Sequence, residues 1–167
     1  NGQQPVAALA EGYARTSLDG VTLDLPGPTG ESNRLSFTPR GTVLCAPGTS
    51  AGLLNQLAAS LATGNRALVL APTPESIPAD LPAAVKERVR FVGKEDIDAA
   101  DIAIALVETG LAGSLRTQLA ARPGAIVGIV DTDVLVPVDL WRLVAERAVC
   151  VNTTAAGGNA SLMTLGL

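Results

Sequence analysis

The 167-residue sequence predicts an α/β fold, a mostly parallel sheet with helices on both faces. Three observations carry that expectation. Short, almost wholly apolar runs recur from Gly41 onward, as parallel strands buried on both sides require. Stretches with apolar residues three and four apart lie between them, and Pro or Gly closes nearly every segment. Alternation of this kind defines a Rossmann-type body.

Taken in order, Thr42–Ala46 is the first strand, stopped by Pro47-Gly48. Leu53, Leu54, Leu57, Ala58 and Leu61 share one face of the helix that follows, with Thr49 or Ser50 as its cap and Gly64-Asn65 as its end. Ala67–Leu70 is the next strand. A short helix near Pro82–Glu87 and strands at Val89–Val92 and Ile102–Val107 come next. Leu111, Leu115 and Leu119 mark another helix, closed by Pro123-Gly124, and Ala125–Val130 another strand. Asp139 is expected to cap a helix running through Glu146, and Ala148–Asn152 to form the last strand.

Residues 1–40 break this rhythm. Gly20–Leu25 and Arg34–Thr38 each alternate with period two around the turn-rich Pro26-Gly27-Pro28-Thr29-Gly30, the pattern of a β-hairpin projecting from the body. A two-stranded ribbon is marginal in water, so it should lie on something. The expected organisation is a linker from a preceding domain over 1–17, a β-flap over 18–40, a Rossmann-like domain over 41–151 and an extended C-terminal segment over 152–167. The chain starts at Asn1 and reads as an excised piece of a longer polypeptide.

Composition removes several functions. Hydrophobic residues make up 47% and aromatics only 2%, so the core is aliphatic and base-stacking platforms are excluded. A net charge of −4 opposes phosphate-backbone binding, and direct nucleic-acid binding is not expected. With no His, every His-based triad and His-ligated metal site is gone. No apolar stretch approaches the roughly 20 residues of a membrane span, and no leader is apparent, so the expected location is cytoplasmic. Cys45 and Cys150 each sit in an apolar run and are expected buried, reduced and inert.

Few residues suggest chemistry. Ala46-Pro47-Gly48-Thr49-Ser50-Ala51-Gly52 has a Gly-x-x-x-Gly spacing that fits neither the dinucleotide fingerprint nor a Walker loop, and reads as a tight strand-to-helix turn. Asp131 and Asp133 follow a strand, but without a third acidic partner they read as turn residues rather than metal ligands. Lys94-Glu95-Asp96-Ile97-Asp98 reads as a solvated loop. The tail Val151–Met163 is neutral and rich in small residues and amides, and residue types alone leave docking and fraying equally open.

Leu25-Pro26-Gly27-Pro28-Thr29-Gly30-Glu31-Ser32-Asn33 and Val151–Gly166 closely resemble the C-terminal region of the long proline utilization A family. Pro39–Pro47 and Leu57–Pro72 are similar to the cofactor-binding half of an aldehyde dehydrogenase. The resemblance implies a parent chain with an FAD-dependent proline dehydrogenase and an NAD-dependent glutamate-semialdehyde dehydrogenase. For this portion it implies no cofactor and no catalytic residue. Thr49 or a neighbour stands where those enzymes place an oxyanion-holding Asn, Ala71 stands where they place a ribose-binding Lys, and no catalytic-Cys loop is present.

The implied role is structural: packing on the aldehyde dehydrogenase domain of the same chain and sealing a tunnel for the reactive intermediate. By that resemblance the tunnel and interface residues are Asn152, Thr153, Thr154, Gly157, Gly158, Asn159, Ser161, Leu162 and Met163. The flap residues are Leu25, Pro26, Gly27, Thr29, Glu31 and Asn33. A residual nucleotide-binding domain and an oligomerisation module, homodimeric through the flap, are the alternatives.

Overall fold

The computed structural model describes residues 3–70 and 82–152. Helix α1 spans Gln3–Thr16, and strands β1 (Thr22–Leu25), β2 (Glu31–Pro39) and β3 (Thr42–Ala46) follow. Next come α2 (Ser50–Ala62), β4 (Arg66–Leu70), α3 (Ala83–Lys86), β5 (Val89–Val92) and β6 (Ile104–Glu108). Then come α4 (Ala112–Ala121), β7 (Gly128–Thr132) and β8 (Val144–Asn152).

Five strands form a parallel sheet in the order β5-β4-β3-β6-β7. Alternation divides each strand between two cores. Val43, Cys45, Ala67, Val69, Ile104 and Leu106 pack with Leu53 and Leu57 of α2 and Tyr13 of α1. Leu44, Ala46, Leu68, Ala105 and Val107 pack with Leu115 and Leu119 of α4. Helices therefore cover both faces, as the apolar runs require. Chain order reverses between β3 and β6, the switch point at which open α/β sheets form their ligand crevice.

A separate antiparallel sheet has the order β1-β2-β8. The turn-rich connection places Leu25 opposite Asn33 and Leu23 opposite Leu35, making the expected flap. Its support comes from β8. β8 pairs with β2 over nine residues, from Pro39↔Val144 to Glu31↔Asn152.

That pairing corrects the expected helix from Asp139 through Glu146. The chain makes one 3-10 turn over Leu140–Leu143 and then becomes strand. Leu140 and Leu143 are buried on the spacing that suggested a helix, since a 3-10 turn also aligns positions three apart. Val144 onward instead satisfies the free edge of β2, a ladder that local periodicity does not reveal. The last strand, expected over Ala148–Asn152 to continue the α/β rhythm, thus lies in the flap sheet. Cys150 is exposed there, against the expectation of burial, whereas Cys45 is buried in β3.

Residues 1–17, expected as a linker, contain α1, held to the body by Tyr13. The Tyr13 hydroxyl donates to Asn55 Oδ1 of α2 at 2.7 Å and accepts from the Val138 amide at 2.7 Å. Asn55 Nδ2 donates to the carbonyls of Asp133 and Val136, so one buried network joins α1, α2 and the loop after β7. β6 and β7 start two and three residues later than the apolar runs suggested, and β6 ends on Glu108.

Candidate functional site

The crevice at the carboxyl ends of β3 and β6 is built around one carboxylate. Thr49 caps α2 in an extended conformation, and its Oγ1 accepts from the Gly52 amide at 3.0 Å. β3 and β6 are parallel neighbours with Ala46 opposite Val107, which sets Glu108 beside the turn that follows β3. Parity does the rest: Ile104 and Leu106 point to the α2 side of the sheet, and Glu108 continues that series. Glu108 Oε2 accepts from the Gly48 amide at 2.7 Å, the Thr49 amide at 3.1 Å and the Thr49 hydroxyl at 3.3 Å. Glu108 is only 8% exposed.

The glycine spacing now has a physical account. A Cβ on Gly52 would run into the Glu108 carboxylate, and one on Gly48 would lie 3.3 Å from its Oε1 and 3.1 Å from Leu111 Cδ1. Both glycines admit a carboxylate from the neighbouring strand. On the α4 side of the turn a cavity of about 620 Å³ is bounded by Pro47, Gly48, Leu70, Lys94, Leu111 and Ser114. Another, of about 350 Å³, lies at the amino ends of the strands beside Arg66, Arg88 and Arg90, away from the switch point.

The acidic candidates are not gathered into a site. Asp131 forms a salt bridge with Arg116 at 2.9 Å on the surface, and Asp133 serves through its backbone carbonyl. Among the described residues no group of three His, Cys, Asp or Glu could hold a metal ion. Lys94–Asp96 forms a 3-10 turn whose Asp96 carboxylate accepts from the Gly93 amide.

Three flap residues come together at the tip of the antiparallel sheet. Glu31 Oε2 accepts from Asn33 Nδ2 at 3.5 Å, and Glu31 Oε1 accepts from Cys150 Sγ at 3.3 Å. The hydrogen bond and the charge of Glu31 push the Cys150 thiol pKa up. Gly27 packs under Asn33: a Cβ there would lie 2.6 Å from Asn33 Nδ2. Pro26 and Thr29 belong to the connection itself, where the Glu31 amide donates to the Pro28 carbonyl. Leu23 and Leu25 of β1 are 46% and 43% exposed. Asn152, opposite Glu31, is the last described residue; Thr153, Thr154, Gly157, Gly158, Asn159, Ser161, Leu162 and Met163 lie outside the described residues.

Sequence reasoning missed Glu108, although a carboxylate ending an otherwise apolar strand was a signal. It also missed Asn65, which is buried between α2 and β4. Asn65 Oδ1 accepts from the Gly41 amide at 2.9 Å, and Nδ2 donates to the Leu143 carbonyl and the Thr63 hydroxyl, both at 2.8 Å.

The fold is shared with solved dehydrogenases. 3,6-Anhydro-L-galactose dehydrogenase superposes with a TM-score of 0.53 at 17% identity, over 78% of this chain and 31% of that one. Aldehyde dehydrogenase 21 of Physcomitrella patens gives 0.52 at 16%, over 79% and 31%. The class is thus an α/β domain with the fold seen in these dehydrogenases, carrying an antiparallel flap.

More specific likenesses follow. Bifunctional protein PutA of Salmonella typhimurium is 41% identical over 167 residues, covering 95% of this chain and 12% of that protein. The Escherichia coli protein is 39% identical over 95% and 12%, and that of Rhizobium meliloti 36% over 99% and 14%. A mutant Bradyrhizobium japonicum Proline Utilization A superposes with a TM-score of 0.60 at 27% identity, over 77% of this chain and 15% of that one. No family model matches the chain. The chain belongs to the proline utilization A (PutA) family and spans about an eighth of the length of the curated relatives it matches.

Proposed function

We propose that this chain is a non-catalytic structural domain of a longer proline-catabolic enzyme. It packs on the aldehyde dehydrogenase domain of the same polypeptide, and its flap and C-terminal segment together seal the tunnel that carries the semialdehyde between two active sites. FAD and NAD belong to the catalytic domains, and this domain carries no cofactor and no catalytic residue of its own.

The observation that carries this reading is the nine-residue ladder between β2 and β8. It sets Asn152, the last described residue, opposite Glu31 at the tip of the flap. In this reading flap and tail share that edge, as a wall made of both requires. A semialdehyde is reactive in water, and small residues line a passage without filling it. Sequence likeness to PutA across nearly the whole chain supports the same assignment.

The test uses the full-length protein with residues 153–167 removed. Proline oxidation should persist, measured with an artificial electron acceptor, while coupled NADH formation from proline should show a lag or be lost. Unchanged coupled and separate rates would reject the sealing role.

Self-association through the flap is a second reading, favoured by Leu23 and Leu25 on β1, an edge strand of the flap sheet. It predicts that charged substitutions at both leucines shift the full-length protein to a smaller assembly in analytical ultracentrifugation.

A further inference from the structure

The turn between β3 and α2 occupies the place where an open α/β sheet offers a phosphate site: a glycine-containing turn, a helix amino terminus and the topological switch point. In this chain that place is filled from within. Glu108 Oε2 takes the amides of Gly48 and Thr49 and the Thr49 hydroxyl, the donors that a bound phosphate oxygen would need. The remaining amide of the turn with a side-chain partner, Gly52, is taken by Thr49 Oγ1.

We propose that Glu108 is the resident anion of this turn, a built-in carboxylate that holds the β3–α2 connection and closes the crevice to nucleotide phosphates. Several observations combine here. Glu108 as a residue is only 8% exposed, so charge-assisted hydrogen bonds and the positive end of α2 compensate for much of its carboxylate's lost hydration. Gly48 and Gly52 are both shaped to it, since a side chain at either position would press on Glu108. A phosphate entering this space would meet a fixed negative charge and find the Gly48 and Thr49 donors already used. The same carboxylate ties β6 to the β3 turn, so this self-ligation replaces the ligand as the element that orders the crevice. The inference stands apart from the tunnel reading, because it concerns the α/β body and needs neither flap nor tail.

Peptide-resolved hydrogen exchange on the full-length protein tests it, with ADP as the probe. Residues 46–53 report on this turn alone, whatever nucleotide sites other domains hold. In the native protein, millimolar ADP should leave their exchange unchanged. Glu108→Ala should raise exchange at the Gly48 and Thr49 amides by about tenfold or more, and ADP should then slow it again. Glu108→Gln, which keeps the shape and one acceptor but not the charge, should lie between the two. Protection of the native turn by ADP, equal exchange in native and Glu108→Ala proteins, or no ADP effect on the Ala variant would each overturn the proposal. If Glu108→Ala does not accumulate, Glu108→Gln carries the comparison, and exchange equal to native overturns it.

Discussion

The side-chain amide of Asn65 donates to the main-chain carbonyl of Leu143 at 2.8 Å, 78 residues away, where the 3-10 turn gives way to β8. The same carbonyl accepts from the Arg40 amide, and Asn65 Oδ1 takes the Gly41 amide. The chain just after β2 and just before β8 is therefore fastened to the residue that precedes β4.

Asn65→Ala should accordingly destabilise the fold by on the order of 3 kcal/mol, because it leaves the Gly41 amide and the Leu143 carbonyl with weaker partners in a buried place. Urea unfolding followed by the fluorescence of Trp141, the chain's sole tryptophan, measures this. A loss under about 0.5 kcal/mol would show that the junction does not depend on the amide.

Tyr13→Phe removes one hydroxyl that serves two partners, Asn55 Oδ1 and the Val138 amide. The aromatic packing survives, so the expected loss is about 1–3 kcal/mol in the same assay. Exchange at the Val138 amide should also quicken. An unchanged rate there would mean that α1 does not hold the loop after β7.

Cys45 makes alkaline stability legible. Burial pushes its pKa up to about 12 from an ordinary value of 9.0, with a smaller opposing effect from Ser60. The folded state binds this proton more tightly than the unfolded state. Its contribution is therefore complete below pH 9 and declines as pH rises toward 12. Tyr13, raised above 10.0 by burial, acts in the same direction. Cys45→Ala should flatten the fall in unfolding free energy between those limits, whatever its constant packing cost; an identical slope would contradict the assignment.

The two thiols should differ in reactivity, since the thiolate is the nucleophile. Cys45 should resist iodoacetamide until the protein unfolds. Cys150 should react in the native state, though slowly, because Glu31 keeps it protonated. Glu31→Gln removes the charge and should accelerate alkylation near pH 8 by roughly threefold. Mass spectrometry of the peptide carrying Cys150 reads this directly, and a slower rate in the variant would exclude the contact.

Substituting Gly64 tests a backbone position. Its φ of +75° lies in the left-handed region, and an added Cβ would strike Asp19 and lie 2.6 Å from Pro39 Cγ. Gly64→Ala should lower stability by at least about 1 kcal/mol and lower the melting temperature measurably. No change would mean that the approach of residues 17–19 to the end of α2 relaxes freely.

By itself the sequence determined the parallel body. Runs such as Thr42–Ala46 and Ala67–Leu70 have no polar face, so they had to be covered twice, and Thr49 or Ser50 and Gly64-Asn65 marked the ends of α2 through capping chemistry, the structure choosing Thr49. It also determined the flap turn, because Pro26–Gly30 leaves alternating segments on either side. Only the tertiary structure decided the fate of Val144–Asn152. A segment whose spacing suits a helix and whose β-branched residues suit a strand goes where an unpaired edge is available, and that edge, β2, lies more than a hundred residues earlier. The same holds for Glu108 at the β3–α2 turn, 59 residues from Thr49, and for Asn65 at Leu143. Local pattern reports which side of an element is apolar; which distant donor meets which acceptor is settled only when the sheets assemble, because burial then makes each unpaired polar group costly.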